Sequence, residues 1–439
     1  MRRGFIFNHD LCTGCNACSA GCIIENRWSV KPRLIYQINP GALCSIPVVG
    51  LSMACNHCEK PACLYGCPAG AFYKKATTGA ILLDESKCLG CNYCTWNCPY
   101  DSPKKETSRN IFLKCNLCFE LLKDGGNPAC ASACPTAALQ YGEIPEKPDN
   151  GRYSWMPDKN LDPSVALRGN PSPEPLRIIP NDIFSHDNPP LKESRKNIAG
   201  EWSLALFSFL SALSAGMIFS QAISDHVINN FLILSCTILA GIVSLLHLGK
   251  KLRAWRSLTN ILKSPLSREI GAYIVYLLIS ASALYKENSG LIITAAVAGL
   301  VYLIIIDSVY TFADRRVRLL FHSGQTFLTG LLIGSFLSGM TASFYFIGSL
   351  KLVSGIWYMI SDKDYPGTFG FRFLRLALLF AVMMIMIKGI PVSDPLMTFI
   401  FIMGEMIDRI LFYYDFDPVN IKTTISGYTK SYLNEKKGY

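Results

Sequence analysis

Sixteen of the eighteen cysteines lie between Cys12 and Cys134 in four quartets, and a fold that gathers each set of thiols leaves the first third of the chain little freedom. The quartets are Cys12, Cys15, Cys18 and Cys22; Cys55, Cys58, Cys63 and Cys67; Cys88, Cys91, Cys94 and Cys98; and Cys115, Cys118, Cys130 and Cys134. Three end in Cys-Pro, at Pro68, Pro99 and Pro135. The first and third follow the C-x2-C-x2-C-x3-C run of bacterial ferredoxins. Disulfide scaffolds and zinc ribbons also use dense cysteine, but neither calls for four ligands at these repeated intervals. The pattern points to four [4Fe-4S] clusters.

A C-x2-C-x2-C loop reaches three irons of one cubane, and the fourth thiol comes from elsewhere. In two-cluster ferredoxins the Cys-Pro cysteine ligates the neighbouring cluster. Quartets two and three are twenty residues apart, 68–87, so they should pair. That puts Cys55, Cys58, Cys63 and Cys98 on one cluster and Cys88, Cys91, Cys94 and Cys67 on its neighbour. Quartets one and four then pair across the ends of the region, as Cys12, Cys15, Cys18, Cys134 and as Cys115, Cys118, Cys130, Cys22. Four clusters linked this way form a line. Stretches such as 79–84 alternate like short ferredoxin strands, so residues 1–145 read as an α+β ferredoxin-like domain folded largely by its metal. Cys44 and Cys236 fit no quartet and read as small buried hydrophobes.

Residues 146–200 form a Pro-rich linker, with ten prolines between 143 and 200, and are expected to run as an extended strap. Residues 201–439 are different in kind. They are dominated by apolar runs near the length that crosses a bilayer core of roughly 30 Å. Eight spans are expected, at 201–223, 231–248, 269–285, 291–310, 325–342, 343–360, 373–390 and 395–414, giving an all-α eight-span bundle embedded in membrane lipid. An even count puts both termini on one face. That face carries nineteen basic residues, including Lys250 to Arg268, Arg315, Arg316, Arg318, Lys363, Arg372 and Arg375, against Lys286 and Lys388 on the other. The asymmetry assigns the cluster domain and both termini to the cytoplasmic side of the inner membrane. No cleavable or twin-arginine export segment with an apolar stretch precedes Cys12, which agrees with that orientation.

The formal charge of +10 does not imply nucleic acid, because the basic residues are not interleaved with exposed aromatics. Cubanes with thiolate ligands carry about −2 each, which largely offsets it.

Particular stretches resemble a known family. Cys55-Asn-His-Cys-Glu-Lys-Pro-Ala-Cys63, Cys67-Pro-Ala-Gly-Ala and Lys114-Cys-Asn-Leu-Cys118 are similar to the iron-sulfur electron-transfer subunit of dimethyl sulfoxide reductase-type molybdoenzymes. Leu245-Leu-His-Leu-Gly249, Arg253-Ala-Trp-Arg256, Ser264-Pro-Leu-Ser-Arg-Glu-Ile270, Trp202 and Gly404-Glu-Met-Ile-Asp-Arg-Ile-Leu-Phe-Tyr413 resemble the quinol-reactive membrane anchor of the same family, with Asp408 where relatives carry a small residue. The chain therefore looks like a fusion of two subunits. The resemblance implies four [4Fe-4S] clusters, a quinone (menaquinone or ubiquinone), and a separate catalytic chain holding molybdopterin of the bis-guanine dinucleotide type. It implies electron relay between that chain and the quinone pool, most like a cytoplasm-facing, membrane-bound sulfite dehydrogenase. The alternatives are an S-oxide or N-oxide reductase running the other way and a redox-linked ion-translocating module.

Quinone chemistry moves two electrons and two protons, so a site needs groups that hydrogen-bond carbonyl oxygens and exchange protons. His247 and Glu269 are the expected catalytic pair. Arg253, Asp307 and Arg409 are expected to complete the quinone site. Glu405 and Lys351 lie nearer mid-membrane and need partners; a pair between Glu405 and Arg409, one turn apart, is the simplest expectation. No haem is expected, because His226, His247 and His322 cannot face one another as axial ligands within the bilayer.

Overall fold

The computed structural model describes residues 2–38, 49–170 apart from 152, 154 and 158, then 202–224, 228–313, 321–361, 369–388 and 394–416. Of the C-terminal stretch it describes 418, 420–422, 424 and 425. Cys44, His226, the strap beyond Asn170 and the arginines at 315, 316 and 318 lie outside the described residues, as does Lys363. The chain divides into two units, one made of Met1–Arg195 with Pro418–Tyr439 and the other of Lys196–Asp417.

In chain order the first unit contains β1 (Arg2–Asn8), α1 (Ala17–Asn26), β2 (Leu34–Ile38), β3 (Val49–Met53), α2 (Ala62–Gly66), β4 (Phe72–Lys74) and β5 (Ile81–Leu83). It continues through α3 (Tyr93–Asn97), β6 (Lys104–Glu106), β7 (Ile111–Leu113), α4 (Phe119–Lys123), α5 (Ala129–Ser132), β8 (Leu139–Ile144) and β9 (Val165–Arg168). Three antiparallel pairs, β2 with β3, β4 with β5 and β6 with β7, stand beside a three-stranded sheet of order β8-β1-β9. The elements are short because the loops between them are committed to cysteines.

β9 departs from the expectation of a free strap over 146–200. Val165, Ala166, Leu167 and Arg168 pair in parallel with Phe5 to Asn8 on β1. Asn150 ties the segment in, donating to the Val165 carbonyl at 2.8 Å and accepting from the Leu167 N–H at 3.0 Å. Trp155 and Tyr153 are buried in the same core as Phe5, Phe7 and Leu167. A β1 edge would otherwise carry unpaired backbone groups, and a four-residue strand is too short to announce itself by periodicity.

The second unit has eight helices of twelve residues or more among the described residues. They are α6 (Trp202–Ile223), α7 (Asn230–Ser244), α8 (Pro265–Lys286), α9 (Ser289–Ala313), α10 (Thr326–Leu337), α11 (Thr341–Ser361), α12 (Phe369–Ile387) and α13 (Pro395–Asp415). Five meet the length and apolarity needed to cross a membrane: α6, α7 with its following turn to His247, α9, α11 and α12. α8 and α13 are as long but carry more charge. α10 differs from the expected span 325–342. It ends at Leu337, and Gly339 turns the chain at φ +70° before α11 begins. Twelve residues of helix reach only about 18 Å, short of a bilayer core.

α6 is the hub, packing against α7, α9, α10 and α13. Small residues let backbones approach: a Cβ on Gly216 would lie 2.8 Å from the Gly330 carbonyl oxygen of α10. Such close contact suits an apolar solvent, where van der Waals packing rather than water exclusion holds helices together.

Candidate functional site

The cysteine loops share a backbone device. In the first and third, Gly14 and Gly90 have φ of 72° and 69°, and Asn16 and Asn92 have 62° and 64°. Left-handed residues on both sides of Cys15 and of Cys91 curl each loop tightly around that cysteine. Backbone donors then meet sulfur: Ala71 N–H donates to Cys67 at 3.3 Å, Leu117 N–H to Cys115 at 3.3 Å and Leu139 N–H to Cys134 at 3.4 Å.

The interacting thiols fall into four groups. Cys12 has Cys15, Cys18 and Cys134 as charge neighbours, and these four line one small cavity. Cys22 has Cys115, Cys118 and Cys130. Cys58 has Cys55, Cys63 and Cys98. Cys94 has Cys91, Cys88 and Cys67. Electrostatic neighbours between groups run in one order. Cys18 interacts with Cys130, Cys55 with Cys115, and Cys63 with Cys67. Among the described residues no three His, Cys, Asp or Glu side chains converge on a single ion.

Buried cations occupy two of the junctions. Arg33, 2% exposed, faces Cys18 of one group and Cys22, Cys115 and Cys130 of the next, and donates to Ser52 Oγ at 3.0 Å. Lys114, 4% exposed, reaches Cys55 Sγ at 3.5 Å and the Cys115 carbonyl at 2.9 Å. His57 lies against both Cys55 and Cys115. Burial alone raises a thiol's pKa, and it pushes Cys91 up to about 12. At Cys55 burial also acts upward, but His57 and the charge of Lys114 outweigh it and lower the thiol to about 5. The protein is built to hold negative charge at that place.

In the second unit Glu269 on α8 is 5% exposed and faces Arg409 and Asp307. The Arg409 guanidinium lies 4.0 Å from Asp307, donates to Ser208 Oγ at 2.7 Å and donates to the Gly324 carbonyl at 2.5 Å. Asp307 caps α10, accepting from the Thr326 and Phe327 N–H groups at 2.9 and 3.0 Å. Tyr302, Tyr310 and Tyr413 lie within electrostatic reach of Glu269. The structure thus gathers Glu269, Asp307 and Arg409. It places His247, half-buried, in the 3-10 turn after α7 and Arg253 in the next turn, Lys251–Leu258, which packs against α8.

Residues 48–144 match the family described as a 4Fe-4S dicluster domain, and residues 199–362 match the DMSO reductase anchor subunit. Over 154 residues the sequence is 36% identical to an anaerobic dimethyl sulfoxide reductase polypeptide of Haemophilus influenzae, covering 33% of this chain and 75% of that one. This chain is a member of the dimethyl sulfoxide reductase family. It joins the family's iron-sulfur electron-transfer subunit to its membrane anchor in one polypeptide. A sulfite dehydrogenase subunit of Allochromatium vinosum is 28% identical over 231 residues, covering 45% of this chain and 95% of that protein. A tetrathionate reductase subunit of Salmonella typhimurium is 30% identical over 182 residues, covering 39% and 70%.

Within this dimethyl sulfoxide reductase family chain, several residues escape a sequence reading. Lys114 and His57 sit inside the cysteine motifs and could have been suspected. Arg33 and the three tyrosines carry no local signal, because their role depends on partners far along the chain. The expected Glu405 to Arg409 pair does not form. Glu405 bonds Lys351 and lies 3.9 Å from Arg375. Asp408 takes Lys351 at 3.1 Å, Arg375 at 2.8 Å and the Ser323 hydroxyl at 2.9 Å. Interhelical partners outcompete the neighbour one turn away because they satisfy more of each buried charge. Arg372 and Arg375, expected among the basic residues of one membrane face, are buried in α12.

Proposed function

We propose that this chain carries electrons through four [4Fe-4S] clusters between a separate molybdopterin catalytic subunit and the quinone pool, facing the cytoplasm, in a sulfite dehydrogenase-type complex. The supporting observation is the unbranched order of the four thiol groups on the same polypeptide as a membrane anchor. The proposed ligand sets are Cys12, Cys15, Cys18, Cys134; Cys22, Cys115, Cys118, Cys130; Cys55, Cys58, Cys63, Cys98; and Cys67, Cys88, Cys91, Cys94. Each cluster, when bound, takes up and gives back one electron. The chain's own part is to hold thiolates at fixed places and to set their electrostatic surroundings through Arg33, His57 and Lys114.

At the membrane end the quinone needs two protons for every two electrons. Glu269 is the proposed proton carrier, with Arg409 as the neighbouring positive charge, Asp307 as the neighbouring negative one, and Tyr302, Tyr310 and Tyr413 within electrostatic reach. His247 and Arg253, in the turns that lead into α8, are proposed to complete it by hydrogen bonding. The sulfite assignment is favoured by the coverage of the sulfite dehydrogenase relative; an S-oxide reductase would use the same parts with electrons reversed. The cytoplasmic orientation is favoured by the basic residues of 250–268.

The test is Glu269→Gln and His247→Ala in the purified complex. Quinone-linked turnover should fall at least tenfold in both while dye-linked turnover at the catalytic subunit is kept. Parallel loss of both activities, or retention of both, would remove the quinone site from these residues.

A further inference from the structure

The last described residues of the chain are part of the iron-sulfur unit. Ile421 is fully buried and Ile425 is 7% exposed, and both belong to the hydrophobic core that contains Phe5, Phe7, Leu51 and Trp155. Their spacing of four puts them on one face of a helical turn. That turn is started by Asn420: its side chain accepts from the Lys422 N–H at 2.9 Å and its carbonyl accepts from the Thr424 N–H at 3.0 Å. Lys422 turns the other way and reaches Asp101 at 2.9 Å.

Asp101 is a prepared acceptor. It follows Cys98-Pro99-Tyr100, takes Lys104 at 2.7 Å and accepts from the Tyr36 hydroxyl at 2.9 Å. It is largely buried, and burial pulls its pKa up, yet the two lysines hold it below the ordinary aspartate range. An apolar pair and a charged contact that both engage residues more than 250 positions away amount to a docking surface with a specific occupant.

We propose that residues 420–425 form a clasp. The chain's own C-terminal segment closes on the iron-sulfur unit and gives it a second attachment to the membrane-embedded polypeptide, in addition to the 171–201 connection. Five residues separate Asp415, the end of α13, from Ile421, so the clasp follows directly on the last helix of the second unit. The clasp also explains a benefit of fusing the two subunits: a soluble electron carrier held at two points is not lost from its anchor by diffusion.

The experiment uses the full chain in its complex, in membrane vesicles, with a site-specific protease sequence placed within 176–190 and an N-terminal epitope. After cleavage, the iron-sulfur fragment should stay with the sedimented membranes when the tail is native and should be released when it carries I421E and I425E. Visible absorbance of the released fragment reports whether its clusters are intact. Release with the native tail, or retention with the doubly substituted tail, overturns the clasp. A Lys422→Glu variant provides a second measurement. It sets two carboxylates against each other in place of the pair of Lys422 with Asp101 and should release a larger share of the cleaved fragment than the native tail does; unchanged retention counts against the proposal.

Discussion

The two units of the chain bury charge in opposite ways. In the iron-sulfur unit the buried cations Arg33 and Lys114, with the His57 ring between Cys55 and Cys115, face thiols. In the membrane unit the buried cations Lys351 and Arg375 face the carboxylates of Glu405 and Asp408. The second arrangement is balanced by the polypeptide itself. The first is balanced only when the thiols are ionised and hold a cluster, so its cations are set in advance for a charge that arrives with the cofactor. The first fold is therefore expected to depend on loading and the second is not.

Removing iron should separate the two units most sharply. Chelation under reducing conditions should make 2–170 protease-sensitive while the membrane fragment keeps its helical circular dichroism, because metal binding supplies much of the folding free energy in small metal-dependent domains. Equal resistance of both units before and after chelation would erase the contrast. On the cysteine scale, Cys98→Ser should lower the iron content from about sixteen atoms per chain towards about twelve, since one of four cubanes loses a ligand. A value left near sixteen would exclude Cys98 from the ligand sets.

Breaking the membrane network from one side should come next. Lys351→Met leaves Glu405 and Asp408 with less compensation and should cost about 3–5 kcal/mol, read from thermal unfolding in detergent. Adding Glu405→Gln should recover much of that loss; a double variant no better than the single would show that the pair is not the unit of balance. Replacing Lys114 by Met tests the other unit. With a junction cation gone, the added electron is less favoured, and one cluster's midpoint potential should fall by an amount on the order of 59 mV, a tenfold change in a one-electron equilibrium. An unchanged set of potentials in an EPR-monitored titration would make Lys114 a packing residue. The smallest effect belongs to the half-exposed pair of Arg109 and Glu85, 2.6 Å apart. Arg109→Ala should change stability by about 0–1 kcal/mol.

Legibility in the sequence follows the range of the interaction. Cysteine spacing is local, so the four quartets can be read directly from the sequence. Apolar runs are local too, and seven of the eight helices lie where hydropathy put them to within a few residues, with 326–337 shorter than its run. Glu269, Asp307 and Arg409 could be brought to one level by counting residues along spans. Arg33, Tyr302 and Tyr413 could not, because each is defined by what it meets across the fold.

By itself, then, the sequence determined the cysteine quartets, the apolar helices and the family, because each is written in spacings of a few residues that the backbone must respect. Tertiary structure decided which charges are balanced by which. It chose Lys351 over Arg409 as the partner of Glu405, drew β9 onto the free edge of β1, and buried Ile421 in a core begun by Phe5. The reason is common to all three. Burial removes water as the competing partner, so a group takes the neighbour that packing brings closest, and that neighbour can lie hundreds of residues away.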